Sequence, residues 1–435
     1  MVRIAGILLG LLASVGAFGF EKPSFPRLAS IAIGGPQNYE DPARQTQLAR
    51  FDMMVLSVWP GFDGGRAQSM EQIVRGVKGR NPASLVFLYV ANNELDDQAT
   101  AWSELRNKID QNGWWLYANG GGGSRVKSTF GTSHYILNNT PQSNVDAATG
   151  QRFPEWFAKY AADKFYSSAP SIDGFFLDNV FWKPRVNGDW NRDGSTDSQN
   201  DAAAQLWMRQ GLRQHFDTMR QRMPGKFQIG NIADWGASEA SLSELSGAAN
   251  GGVMEGIVGP SWAVETWAGW QQMMSWYRKG MGALAEPKLF VFGQTGNPYN
   301  YREFRYGFTS CLLDDGYYAF NQGSAAGEDY HTVYWFDEFD AELGRALSGP
   351  SSSPWRNGIY RRDFERGIVL VNPKGNGSQE VELEADFRRI AGSQDSSVNN
   401  GQLARRVRIE DRDGIVLLRL EARAVPTPPT GLRVE

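Results

Sequence analysis

Two acidic residues that close apolar runs are the feature of this chain best suited to chemistry. Phe175, Phe176 and Leu177, entered through Gly174, lead to Asp178, and Val253 and Met254 lead to Glu255. An apolar run ending in a carboxylate reads as a strand buried on both faces that delivers an acid to its carboxyl end. A pair of such acids can cleave a glycosidic bond: one protonated carboxyl helps the leaving oxygen depart, and one ionised carboxylate attacks or activates water. The expected roles are Asp178 as nucleophile or base and Glu255 as general acid, its pKa raised by an apolar surround. The competing reading has each acid capping a following helix or pairing with a cation such as Arg185.

Asn179 and Asn231 also reach predicted strand ends, where they can hydrogen-bond sugar hydroxyls. Trp59, Trp182, Trp235 and Trp262 are candidate platforms for sugar rings, since an indole face stacks well on a large apolar surface. Glu94 and Asp234 follow strands and stand in reserve, whereas Asp173, Asp52 and Asp315 precede theirs and so belong to the stability face of a barrel. The three histidines, His134, His215 and His331, lack metal-ligand spacing, and no serine sits in a nucleophile elbow. The segment DWNRDGSTDSQN places Asp189, Asn191 and Asp193 at alternate positions and Gly194 at the sharp turn. Asp197 and Asn200 fall where the ninth and twelfth ligands of a calcium loop would, and the final Glu is absent. A structural calcium ion and a solvated turn rich in Asx hydrogen bonds are the two readings of this loop. The chemistry itself requires no cofactor.

These residues need a frame. Short apolar runs alternate with amphipathic stretches from about residue 28 to 347, the pattern of repeated strand and helix units around a parallel sheet. Strands are expected at 30–33, 53–58, 85–90, 174–178, 227–231, 252–255, 289–292 and 317–320, enough to close a (β/α)8 TIM-type barrel. PEWFAKYAADKFY, AAAQLWMRQGLRQHFDTMRQRM and TWAGWQQMMSWYRKGM carry helical spacing. The long stretch between the third and fourth strands reads as an elaborated loop at the catalytic end, and its run Gly120–Gly123 as linker, because no Lys-Ser/Thr follows to make a phosphate loop. After SGPSSSP the pattern changes to segments of alternating polarity, a small C-terminal antiparallel β-module. The expected organisation is a signal peptide at 1–19, the barrel at 20–347, the module at 348–425 and a Pro-rich tail at 426–435.

The 435 residues suit a barrel with a smaller module. Aromatic content of 12%, with fifteen Trp, is high, and a net charge of −4 offers no basic field to a nucleic acid. Arg3 ahead of an apolar stretch, then Ala17 and Gly19, suits a cleaved signal peptide and a secreted or periplasmic protein, with no stable membrane span once the signal is removed. An uncleaved N-terminal anchor is the alternative. Cys311, the single cysteine, cannot form an intramolecular disulfide and reads as a buried small hydrophobe.

DGFFLDNVFW, NNTPQSNVDAATGQRF, the VMEG strand, and WFDEFDAELG ahead of RRDFERGIVLVNP together resemble the bacterial proteins described as hypothetical glycosyl hydrolase families. They are more distantly similar to the endo-alpha-1,4-polygalactosaminidase family. The resemblance spans most of residues 28 to 375. It implies a TIM-type barrel with Asp178 and Glu255 as the catalytic pair, acting on a bacterial or fungal polysaccharide such as an exopolysaccharide. The DWNRDGSTD loop and the C-terminal module depart from the minimal polygalactosaminidase domain, so that substrate does not carry over. The rival expectation is a non-catalytic polysaccharide-binding protein on a hydrolase-like barrel.

Overall fold

The computed structural model describes residues 20–420 apart from 59–66, 100–101, 121–122, 130, 233–234 and 325–326. The expected signal segment 1–19, the tail from 426, Trp59 and Asp234 lie outside the described residues.

Eight parallel strands follow one another around a barrel: Ala29–Ala32, Met53–Ser57, Leu85–Ala91, Gly174–Asp178, Phe227–Asn231, Gly251–Val258, Leu289–Gly296 and Tyr317–Ser324. They are numbered first to eighth below. The first and eighth meet through a parallel bridge between Leu28 and Tyr318 and a bond from the Asn321 side-chain amide to the Ile31 carbonyl. A short strand, Gly327–Asp329, pairs antiparallel with the eighth and makes a ninth member of the sheet.

Strand residues alternate between two apolar environments, as the two-residue side-chain period requires. Ile31, Val55, Phe87, Phe176, Ile229, Val253 and Val291 fill the lumen. Their neighbours Met54, Val86, Phe175, Leu177, Met254 and Phe290 pack outward beneath the helices. Two residues beyond a lumen residue, the chain points into the lumen again. That parity aims Tyr89, Asp178, Asn231 and Glu255 at the mouth of the barrel.

The sixth, seventh and eighth strands run longer than their apolar segments indicate. Polar and glycine-rich continuations such as Gly293–Gly296 carry no apolar signal, yet they remain hydrogen-bonded. Glu255 therefore lies inside the sixth strand rather than at its end, just where pairing with the seventh strand shifts register between Met254 and Val258. The stretch expected as one helix around TWAGWQQMM is two, Val264–Ala268 and Trp270–Ala283, broken at Gly269 with φ 83°.

The C-terminal strands Tyr360–Asp363, Gly367–Asn372, Gln379–Arg389, Leu403–Ile409 and Asp413–Arg419 form a separate five-stranded antiparallel sheet with its own apolar cluster. It packs on the helix Tyr301–Leu312, so closely that a Cβ on Gly414 would lie 1.9 Å from Thr309 Oγ1. At this junction Arg305 is 2% exposed and bonds Asp413 through both Nε and Nη2, at 3.1 and 3.2 Å, and Asp395 at 2.6 Å. The SGPSSSP stretch is docked, with the Ser351 N–H on the Leu313 carbonyl and Arg278 on the Ser351 carbonyl.

Removing one partner of a buried ion pair leaves the other charge uncompensated at a cost of about 3–5 kcal/mol. Arg305→Ala should accordingly lower unfolding stability by roughly 3 kcal/mol or more in denaturant titration, because Asp413 stays buried. A loss below about 1 kcal/mol would show that the junction does not depend on this cluster.

Candidate active site

Asp178 is the last residue of the fourth strand and Asn231 the last of the fifth, so adjacent parallel strands carry them to the same level. Asn231 is 5% exposed. Its Nδ2 lies 3.2 Å from Asp178 Oδ1 and 2.8 Å from Glu255 Oε2, one amide hydrogen for each carboxylate. The two acceptor oxygens can be no farther apart than those bonds laid end to end, about 6 Å. Asn231 Oδ1 is buried without a hydrogen-bond partner. The opposite amide orientation would aim that oxygen at two carboxylates, so the acids themselves dictate the rotamer.

Two tyrosines complete the constellation. Tyr89, pointing inward from the third strand, donates its hydroxyl to Asp178 Oδ2 at 2.6 Å, and the Asn179 N–H donates to Asp178 Oδ1 at 2.8 Å. Tyr330, which follows the short ninth strand, donates to Glu255 Oε1. Burial, then the neighbouring Glu255 charge, push the Asp178 carboxyl up to about 6, against these donors. Burial and the Asp178 charge also hold the Tyr89 phenol well above its ordinary value, so Tyr89 remains a donor. Asp178, Asn231, Glu255, Tyr89 and Tyr330 line a pocket of about 190 Å³ floored by Phe176 and Val253.

Of the residues expected here, Asp178, Asn231 and Glu255 meet in one pocket. Asn179 sits beside it at φ 54°, lining a separate small pocket with Asn93, Asn139 and Arg185. Trp262 is 53% exposed and lies against Gly256, the residue after Glu255. Trp182 is half-buried against the core, near Lys183 and Arg209. Trp235 is a correction: it is fully buried, with its indole N–H on the Val180 carbonyl at 2.7 Å, and offers no face to a ligand. The turn Trp235–Ala237 folds the ring under the chain that leaves the fourth strand. The reserve acid Glu94 is absent from the pair's pocket and lines a neighbouring one with Tyr89 and His134, accepting from Ser128 and, at 3.1 Å, facing His134 Nδ1.

Sequence reasoning missed both tyrosines. Tyr89 was findable, because it stands two residues beyond the lumen residue Phe87. Tyr330 carries no such signal, since only the antiparallel return of the chain brings it to Glu255.

In the 189–200 loop the carboxylates serve the loop's own amides. Asp189 accepts from the Asp193 and Gly194 N–H groups, Asp193 from Ser195, and Asp197 from Trp190 and Asn191. Asn191 Nδ2 donates to Asp193. Among the described residues no group of three or more His, Cys, Asp or Glu is arranged to hold a metal ion, and the loop's side chains make Asx hydrogen bonds.

The family model described as hypothetical glycosyl hydrolase family 15 matches residues 84–368. No curated protein matches. Among solved structures, the glycoside hydrolase domain of PelA from Pseudomonas aeruginosa is 16% identical, covering 72% of this chain and 98% of its own, with a TM-score of 0.42. Amy13B of Eubacterium rectale is 8% identical over 91% of this chain and 95% of its own, with a TM-score of 0.52. An alpha-amylase from Geobacillus thermoleovorans, complexed with acarbose, is 10% identical over 91% and 98%, with a TM-score of 0.48. At 8% identity the likeness to Amy13B is one of fold alone.

Because the Glu255 charge raises Asp178, Glu255→Gln should move the Asp178 titration midpoint below about 6. Carboxyl-carbon NMR across pH 3 to 8, about the range where carboxyls titrate, reads this directly. A midpoint that stays in place would show that the two charges do not interact.

Proposed function

The chain belongs to hypothetical glycosyl hydrolase family 15, and from that premise we propose that Asp178 and Glu255 hydrolyse a glycosidic bond of a polysaccharide with net retention of configuration. The observation that carries this reading is the Asn231 amide held between the two carboxylates. Retaining enzymes place their carboxyl groups about 5–5.5 Å apart, whereas inverting enzymes need about 6.5–9.5 Å to seat a water molecule. A limit of about 6 Å between the bridged oxygens favours the first arrangement.

In the first step an Asp178 oxygen bonds to the anomeric carbon while that carbon's bond to the leaving oxygen breaks, and the proton of Glu255 passes to that oxygen. A glycosyl ester on Asp178 results. In the second step Glu255, now ionised, takes a proton from water as the water oxygen bonds to the anomeric carbon and the ester bond breaks. Three donors fix the Asp178 carboxylate and favour its charged form, as a nucleophile requires. The polar lumen around the pair also includes Gln294 and Asn321, and the pocket's size suits one sugar ring. Export led by residues 1–19 belongs to the same proposal, with a polysaccharide outside the cytoplasm as substrate. No helix among the described residues is long and apolar enough to cross a membrane.

Screening the purified protein on soluble polysaccharides, bacterial exopolysaccharides among them, should reveal reducing ends released by the wild type. Asp178→Asn and Glu255→Gln should each lower kcat/KM by about 10² to 10⁴-fold. Unchanged turnover by both variants would remove the assignment. Proton NMR of the first-formed product should show the substrate's anomeric configuration. Asp178 must be ionised to attack, so kcat/KM should fall as pH drops through about 6, where Asp178 takes up a proton. A decline on raising pH through that value would instead make Asp178 the proton donor.

A further inference from the structure

Trp262 and Trp267 are 53% and 60% exposed, two large indoles left to water on one side of the barrel mouth. The seat of Trp262 is specific. A Cβ on Gly256 would stand 2.1 Å from the Trp262 ring, so the ring can rest there only because that position has no side chain. Gly256 also holds φ 54°, in the left-handed region that favours glycine. This glycine directly follows Glu255 and lines the same pocket as the carboxylate pair. The ring therefore sits against a residue of the catalytic pocket's wall, next in sequence to Glu255. Its loop is tied down as well: Trp267 Nε1–H donates to the Trp262 carbonyl at 3.1 Å, and the Trp267 ring meets Trp276 edge-on at 5.3 Å between centroids.

A proton donor must lie within hydrogen-bond reach of the oxygen that departs. With Glu255 as donor, the leaving group occupies the Glu255 side of the pocket, where Trp262 stands. We propose that Trp262 is the stacking platform for the sugar ring on the leaving-group side of the scissile bond. The substrate is then a chain in which a second sugar, rather than a small aglycone, departs. A flat, exposed indole suits the apolar face of that ring, and its rigidity keeps the entropy cost of binding low. The inference rests on the reading of Glu255 as the proton donor.

The test uses two probes on the full chain: a hexasaccharide cut from a polysaccharide the wild type degrades, and the glycosyl fluoride of the same glycone. Fluoride departs without a sugar to stack and with little need of protonation. Trp262→Ala should lower the ratio of kcat/KM on the hexasaccharide to kcat/KM on the fluoride by roughly tenfold, chiefly through KM. Trp262→Phe, which keeps an aromatic face, should restore most of that ratio. An unchanged ratio in Trp262→Ala, or a failure of Phe to recover any of it, would overturn the platform while leaving the carboxylate pair intact. Failure of the function reading itself shows differently, as full activity in Asp178→Asn and Glu255→Gln.

Discussion

The site depends on one neutral amide placed between two half-buried acids. Two carboxylates this close repel when both are charged, and each loses hydration in a lumen floored by Phe176 and Val253. Asn231 offsets part of that cost without adding charge, giving one N–H to each. A cation in its place would pair with both acids and hold them ionised. An amide leaves their protonation adjustable, which acid and base roles at one site require. The amide's other end, Oδ1, is buried and unpaired, a cost the fold carries at the same spot where the acids must be held apart and aligned.

The barrel makes this placement possible through side-chain parity. Residues two apart on a strand share a face, so the apolar lumen layer of Phe87, Phe176, Ile229 and Val253 is followed by a polar layer of Tyr89, Asp178, Asn231 and Glu255. Asp178 and Asn231 arrive from neighbouring strands, while Glu255 is delivered where the sixth strand loses register with the seventh. That irregularity brings Gly256 to a left-handed conformation and clears the rim for an aromatic ring. The C-terminal sheet braces this side of the barrel. Arg412 bonds Glu265 at 3.0 Å, on the helix after the sixth strand, and Glu303 at 2.6 Å, on the helix after the seventh.

Much of this was legible in the chain itself. The eight strands follow from apolar runs, and Asp178 and Glu255 follow from the acids that close two of them. Asn231 was visible as a polar residue closing a third. Tyr89 is encoded just as plainly by its spacing from Phe87, but an inward tyrosine looks like one more aromatic until the acid it faces is known. Trp235 shows the opposite error: a tryptophan soon after a strand reads the same whether the next turn exposes the ring or folds it under, and here it is buried against Val180.

Local pattern thus determined the strand and helix succession, the antiparallel module and the two acids, because burial of alternating or continuous apolar runs is a property of neighbouring residues. Tertiary structure alone decided that Asp178 and Glu255 share one amide, that Tyr330 reaches Glu255 from 75 positions away in sequence, and that, of the three described tryptophans expected as platforms, Trp262 stands open at the rim. Those outcomes depend on closure of the barrel and the return of distant chain, and such long-range contacts leave no trace in the spacing of adjacent residues.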